Sequence, residues 1–275
     1  FNGEIISADS RQVYKGLNIG SGKITKKEMM GVPHHLLDVA NPKRVFSVAQ
    51  YQKLAKKAIK NIIKRGKIPI ICGGTGFYID SLIYDYKLPE VKPDKKLRAT
   101  LEKKSTEELF KQLKKLDPRR AKNIDRHNRR RLIRALEIVL TTKKPTPRME
   151  TITCDSSSFD ILKIGVKREP EELKKLIHKR LIKRIKTGMI KEVEKLHKQG
   201  LSWQRLDDLG LEYRYISRYL CGLITRLEMI EILNKEINHY ARRQMTWFKR
   251  DKNIHWIDPS KNQNEAIGLV KKFFY

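Results

Sequence analysis

Cysteine is scarce in this chain of 275 residues: Cys72, Cys154 and Cys221 stand far apart, with no Cys-x-x-Cys pair. An odd count without paired spacing argues against a disulfide framework and a cysteine-built zinc site, and fits a reducing cytoplasm. Long apolar runs are missing as well. No stretch approaches bilayer-spanning length and no signal peptide precedes the first strand pattern, so no membrane partner is expected. A phosphate-binding loop is a third absence. Gly20-Ser21-Gly22-Lys23 imitates one, but that loop needs a glycine where Leu17 stands and a serine or threonine where Ile24 stands. Lys23 is therefore expected to be a surface or substrate-facing lysine. No internal repeat is visible, and the spacing of His34 and His35 gives no metal site, which leaves them a structural part.

Negative charge is also in short supply. Lysine and arginine number 61 against 31 aspartates and glutamates, a net charge of +30. Such an excess points to a polyanionic partner, nucleic acid first, although charge supplies affinity and not sequence specificity. The basic residues concentrate in His127-Asn128-Arg129-Arg130-Arg131-Leu132-Ile133-Arg134. There Leu132, Ala135, Leu136 and Val139 form an apolar helix face, and Arg130 and Arg134 fall one turn apart. A solvated charged face is the plain alternative for this run.

With 39% hydrophobic residues the chain can bury a substantial core, as one large domain or two smaller ones. A strand pattern over residues 1–9 is followed by helix signals: Ser47 as N-cap, apolar positions from Val48 to Ile63, and Gly66 as stop. Ile68-Pro69-Ile70-Ile71-Cys72 then reads as a second, parallel strand of a covered sheet. From about Lys92 to Lys144 the periodicity is helical, with helices over 94–104 and 106–116 and the arginine helix. Residues 159–166 resume a strand. Pro170 opens another helix, and a long one covers about 226–249. The pattern predicts an α/β protein with a parallel sheet core, residues 1–91 and 159–275, and an inserted helical domain, residues 92–158.

Ligands gather at the carboxyl ends of parallel strands, so Asp9-Ser10-Arg11-Gln12 and Gly73-Gly74-Thr75-Gly76 could line one crevice. Asp9 is a candidate hydrogen-bond acceptor or base, or simply a turn aspartate. The glycines admit an anion to backbone amides or make a tight turn. Arg184 falls in the apolar stripe of Leu173, Ile177, Leu181 and Ile185 and needs a partner. An anionic ligand shared with Arg180, a buried ion pair and a snorkelling side chain all remain open. Trp247 and Phe248 suit core packing or stacking on bases.

Five segments together resemble the tRNA dimethylallyltransferase family, also called tRNA isopentenyltransferases or IPP transferases: EIISADSRQVYKGLNIG at 4–20, GVPHHLLD at 31–38, GGTGFYI at 73–79, NRRRLIRALE at 128–137 and YARRQMTWFKRD at 240–251. They stand in the family's order and span nearly the whole chain. The resemblance implies a fold similar to P-loop nucleotide kinases with an inserted helical domain. It also implies transfer of a dimethylallyl group from its diphosphate, with Mg2+, to N6 of the adenosine 3′-adjacent to the anticodon. The tRNA anticodon arm and dimethylallyl diphosphate are the implied partners, and a monomer is expected.

By the same match Asp9 would act as base, Thr75 would sit against the target nucleotide and transferring group, and Arg184, with Arg180, would hold the diphosphate. Ser10, Arg11 and Gln12 match the target-nucleotide segment. Arg98, the run Arg130, Arg131, Leu132, Ile133 and Arg134, and the run Leu209, Gly210, Leu211, Glu212, Tyr213 and Arg214 match tRNA-contacting positions. Glu212 stands where many relatives carry glycine. Family members begin with a glycine-rich loop ending in Gly-Lys-Ser or Gly-Lys-Thr, and this chain starts beyond it. The match therefore leads to an expectation of poor transfer or none by these residues alone, with much of the RNA-binding surface retained. A non-catalytic RNA-binding relative and an isopentenyltransferase acting on free adenine nucleotides are the alternatives.

Overall fold

The computed structural model describes residues 1–89, 91–147, 159–262 and 264–274. Cys154 and the expected end of the insertion, residues 148–158, lie outside the described residues. The chain divides into two compact units, Phe1–Ile83 with Ser157–Tyr275, and Tyr84–Ser156.

The first unit opens with β1 (Gly3–Ser7), β2 (His34–His35), α1 (Val48–Lys64), β3 (Ile68–Cys72) and α2 (Gly76–Ile83). The strands are parallel in the order β2-β1-β3, with Ile5 opposite both His34 and Ile70. Ser47 caps α1 in a reciprocal capping box with Gln50, and Gly66, at φ +68°, turns the chain back toward β3. The strand–helix–strand crossover expected from the sequence is thus present. One face of β3 is not covered as expected, for Ile70 is exposed.

Glu4 on β1 locks the sheet to its surroundings: its carboxylate meets His35 at 2.7 Å, Arg65 at 2.6 Å and Lys67 at 2.9 Å. Bonds from His35 and Lys67 hold its pKa down at about 2, although burial opposes the shift. His35 therefore serves structure.

The second unit consists, among the described residues, of α3 (Lys95–Glu102), α4 (Thr106–Leu116), α5 (Pro118–Asn123) and α6 (Arg129–Thr142). Asp94 caps α3, and the helix ends at Glu102, before the expected residue 104. Ser105 and Glu108 box the start of α4, and Asn128 caps α6. Leu101, Leu109, Leu113, Ala121, Ile124, Leu132, Ile133, Ala135 and Leu136 make a core of their own.

The chain returns to the first unit with β4 (Lys163–Val166), α7 (Pro170–Lys186), α8 (Met189–Lys198), α9 (Trp203–Leu209), α10 (Leu211–Leu220), α11 (Arg226–Phe248), β5 (Ile254–Ile257) and α12 (Glu265–Phe274). The strand expected at 159–166 forms only from Lys163. It pairs in parallel with β5, not with the three-stranded sheet. Ile6, Tyr51, Leu181, Met189, Val193, Leu206, Tyr213 and Met229 meet in the main core, so α7 to α11 pack on the layer that β1 and α1 begin. Among the described residues no helix is long and apolar enough to cross a membrane.

Candidate active site

The tips of β1 and β3 are fastened to each other by their backbones. Ala8 donates to Cys72 O at 2.8 Å, and Thr75 N donates to Ala8 O at 3.1 Å. Gly73 permits this approach, because a Cβ there would lie 2.4 Å from Ala8 O. Thr75 Oγ1 in turn accepts from Ser10 N at 3.0 Å. Asp9 Oδ1 accepts from the amides of Arg11, at 2.7 Å, and Gln12, at 3.1 Å. The turn reading of Asp9 is therefore satisfied by one oxygen, and Oδ2 makes no hydrogen bond among the described residues.

One face of α11 backs this crevice. Gln244 Nε2 donates to Gly74 O at 2.8 Å, and the Trp247 ring presses on Gly76, where a Cβ would meet Cδ1 at 2.2 Å. Burial and then the charge of Asp9 push the Tyr240 phenol pKa up, against the pull of Thr75 and Gln244 beside it. Residues 240, 244 and 247 share a helix face, which explains the motif's spacing. Trp247 donates Nε1 to Asp80 at 3.0 Å, with Arg250 over its ring, so packing rather than base stacking occupies it.

The loop at 18–23 closes another side. Gln12 Nε2 donates to Gly22 O at 3.3 Å, and Arg184 Nη1 donates to Gly20 O at 3.4 Å. Gly22 sits at φ +61°, and a Cβ would lie 1.9 Å from Arg184 Nη2 and 2.6 Å from Arg180 Nη2. Both guanidinium groups of α7 thus converge on this loop. Arg184 forms a 3.2 Å ion pair with Glu212 of α10. Burial pushes the Arg184 pKa down, helped by Arg180 beside it, while Glu212 opposes the change. Burial likewise pushes Glu212 up against the pull of Arg184. Of the partners left open for Arg184, the ion pair is the one present.

Sequence reasoning missed the residue that holds this loop. Glu192 on α8 accepts from the amides of Asn18 at 3.0 Å, Ile19 at 2.7 Å and Gly20 at 3.0 Å, and from Tyr213 Oη at 3.0 Å. A separation of 174 residues from Asn18 hides this from any local pattern. Lys23 corrects the expectation of a surface or substrate-facing lysine. Its side chain is 5% exposed and donates to Asp38 at 2.6 Å and Tyr14 O at 2.8 Å, an arrangement that braces the loop from within.

Several expected RNA-contacting residues are placed otherwise. Leu209 and Tyr213 are buried in the main core, and Leu132 and Ile133 in that of the second unit, so their side chains are spent on packing. Arg214 pairs with Asp207, while Gly210 and Leu211 form the turn between α9 and α10 at positive φ. Arg98 donates from Nε and Nη2 to Glu137, which also receives Arg134 and the amide of Asp94. These bonds engage one edge of Arg98 with the protein itself, and its side chain stays 37% exposed. Burial raises the Glu137 pKa, but the two arginines outweigh it and leave the carboxyl below its ordinary value. Arg130 and Arg131 stand exposed on α6.

An α/β fold thus sets a carboxylate and a threonine hydroxyl at the tips of a parallel sheet, with two arginines of α7 against the neighbouring loop. The family model described as IPP transferase matches residues 12–251. A tRNA dimethylallyltransferase of Anoxybacillus flavithermus is 44% identical, covering 100% of this chain and 90% of the relative. A tRNA dimethylallyltransferase 2 of Treponema denticola is 45% identical over 93% of this chain and 87% of its own. The crystal structure of a tRNA isopentenylpyrophosphate transferase from Staphylococcus epidermidis aligns with a TM-score of 0.71 at 36% identity, covering 99% of this chain and 91% of that one. A eukaryotic dimethylallyltransferase described as acting on tRNA aligns with a TM-score of 0.78 at 24% identity, covering 100% of this chain and 73% of that one, and supports the fold. The chain belongs to the IPP transferase family, the tRNA dimethylallyltransferases.

Proposed function

We propose that this chain transfers a dimethylallyl group from dimethylallyl diphosphate to N6 of the adenosine 3′-adjacent to the anticodon in tRNA, with the crevice at the tips of β1 and β3 as reaction centre. The observation that carries the proposal is the convergence of Arg180 and Arg184 on Gly22, beside an Asp9 fixed through one oxygen.

The amine of adenine is a poor nucleophile, its lone pair delocalised into the ring, so placement and charge supply most of the rate enhancement. Asp9 Oδ2 accepts the amine proton as the new C–N bond forms. Thr75, held by Ser10 N, sets the position of the nucleotide and the transferring group. The allylic C–O bond breaks, and Arg180 and Arg184 take up the charge of the departing diphosphate. The adenosine must leave its stack to reach Asp9, which costs less in an anticodon loop than in a duplex. Arg130 and Arg131 offer exposed charge to the phosphates of the anticodon arm.

Magnesium enters this reading with the donor, where it would screen the diphosphate oxygens. No three of His, Cys, Asp and Glu converge to hold a metal among the described residues. Coordination would therefore come chiefly from diphosphate oxygens and water, the usual manner of this ion. Asp9, Thr75, Arg180 and Arg184 come from one chain, which supports a monomer as the active species, and a tRNA substrate supports a cytoplasmic location. The test is incubation with unmodified tRNA, dimethylallyl diphosphate and magnesium, then nucleoside mass analysis. A gain of one dimethylallyl group on adenosine is expected when the chain is extended upstream through a Gly-Lys-Ser or Gly-Lys-Thr loop, and unaltered adenosine in all positions there would overturn the reading.

A further inference from the structure

Glu212 places a carboxylate against the arginines proposed to receive a diphosphate. Its side chain is 12% exposed and that of Arg184 is 16% exposed, with 3.2 Å between Nη1 and Oε1. A well-formed guanidinium–carboxylate bond is shorter, about 2.7–2.9 Å. Arg184 is the one side chain that hydrogen-bonds Glu212 among the described residues; the amide of Glu212 and the charge of Arg180 help, but burial outweighs all three. Asp9 adds a second negative charge nearby. Arg180 forms no salt bridge among the described residues, and its Nη2 abuts the same glycine as Arg184.

We propose that Glu212 is an intramolecular counter-anion that occupies Arg184 until a diphosphate displaces it, so that its charge sets how tightly the site holds the donor and the diphosphate product. The inference rests on the diphosphate reading of Arg180 and Arg184. With the site empty, the carboxylate supplies the buried guanidinium with a counter-charge that the Gly20 carbonyl does not give it. With a diphosphate present, the same carboxylate repels it and competes for Arg184 Nη1. The arrangement weakens binding and thereby favours release of the diphosphate product.

Inorganic diphosphate with magnesium, titrated calorimetrically into the full chain, tests this directly. Glu212→Gln keeps the shape and an oxygen that accepts from Arg184 but removes the charge. It is expected to bind about tenfold more tightly, the scale of removing one like charge from a partly screened site. Glu212→Ala should shift affinity the same way and serves if the glutamine variant does not fold. Unchanged or weaker binding by a folded variant overturns the proposal. Arg180→Ala separates the two levels: it should weaken binding if the diphosphate reading holds. If it has no effect, that reading fails and the counter-anion falls with it. If it weakens binding while Glu212→Gln does not tighten it, only the counter-anion role is lost.

Discussion

Each unit of this molecule buries a glutamate against arginine, and the two glutamates are solvated by the protein in opposite ways. Glu137 receives the Asp94 amide, two bonds from Arg98 and one from Arg134, all at 2.6–2.8 Å. Those bonds outweigh burial, and the carboxyl stays ionised below its ordinary range. Glu212 receives one side-chain bond at 3.2 Å, and burial lifts it above that range. A saturated carboxylate fastens helices; an unsaturated one beside a second arginine leaves donors for a ligand. The number of bonds, not the presence of an ion pair, distinguishes scaffold from site.

The comparison can be sharpened first at the carboxylate that neither pair uses. Asp9→Asn should lower tRNA modification by about 10²–10⁴-fold while leaving tRNA affinity nearly intact, the scale of losing a positioned base. Single-turnover kinetics alongside a binding titration would measure both, and equal turnover would remove Asp9 from the chemistry. Glu137→Ala should cost about 1–3 kcal/mol of stability, because it removes four bonds while the two arginines, each over a third exposed, regain water. Thermal unfolding reads this, and an unchanged midpoint would break the contrast with Glu212. Since the folded pKa of Glu137 is depressed, its contribution is present above the ordinary value of 4.5 and is lost as the pH falls below it. The smallest effect belongs to the exposed arginines. Arg130→Ala with Arg131→Ala should weaken tRNA binding and reduce its salt slope by up to about two. A slope that does not move would place the RNA elsewhere.

The helices with strong local signals were legible in the sequence. Ser47 and Gly66 bound α1 because capping and a left-handed turn are decided within a few residues. The crossover between β1 and β3 followed from the same reasoning. β2, with only His34 and His35, is too short to show alternation, and β5 follows directly on a long helix that masks it. Asp9, Thr75 and Arg184 were named from motifs, strand ends and an apolar stripe; the fold ties Thr75 to Ser10 beside Asp9 and Arg184 to the loop that Gln12 also meets. What escaped were the supports. Glu192 reaches a loop far away in sequence, Arg98 and Arg134 turn toward a buried acid, and Lys23 is drawn inward by Asp38 and Tyr14. None of these pairings has a local signature, since charged residues on helices look alike until the tertiary fold selects their partners.

Three successive amides aimed at one point, as at Asn18, Ile19 and Gly20, form the kind of hollow that captures inorganic phosphate. Here the protein has stoppered it with its own Glu192. That hollow is thus filled from within, and what the proposed diphosphate could still meet at this loop is the pair of guanidinium groups of Arg180 and Arg184.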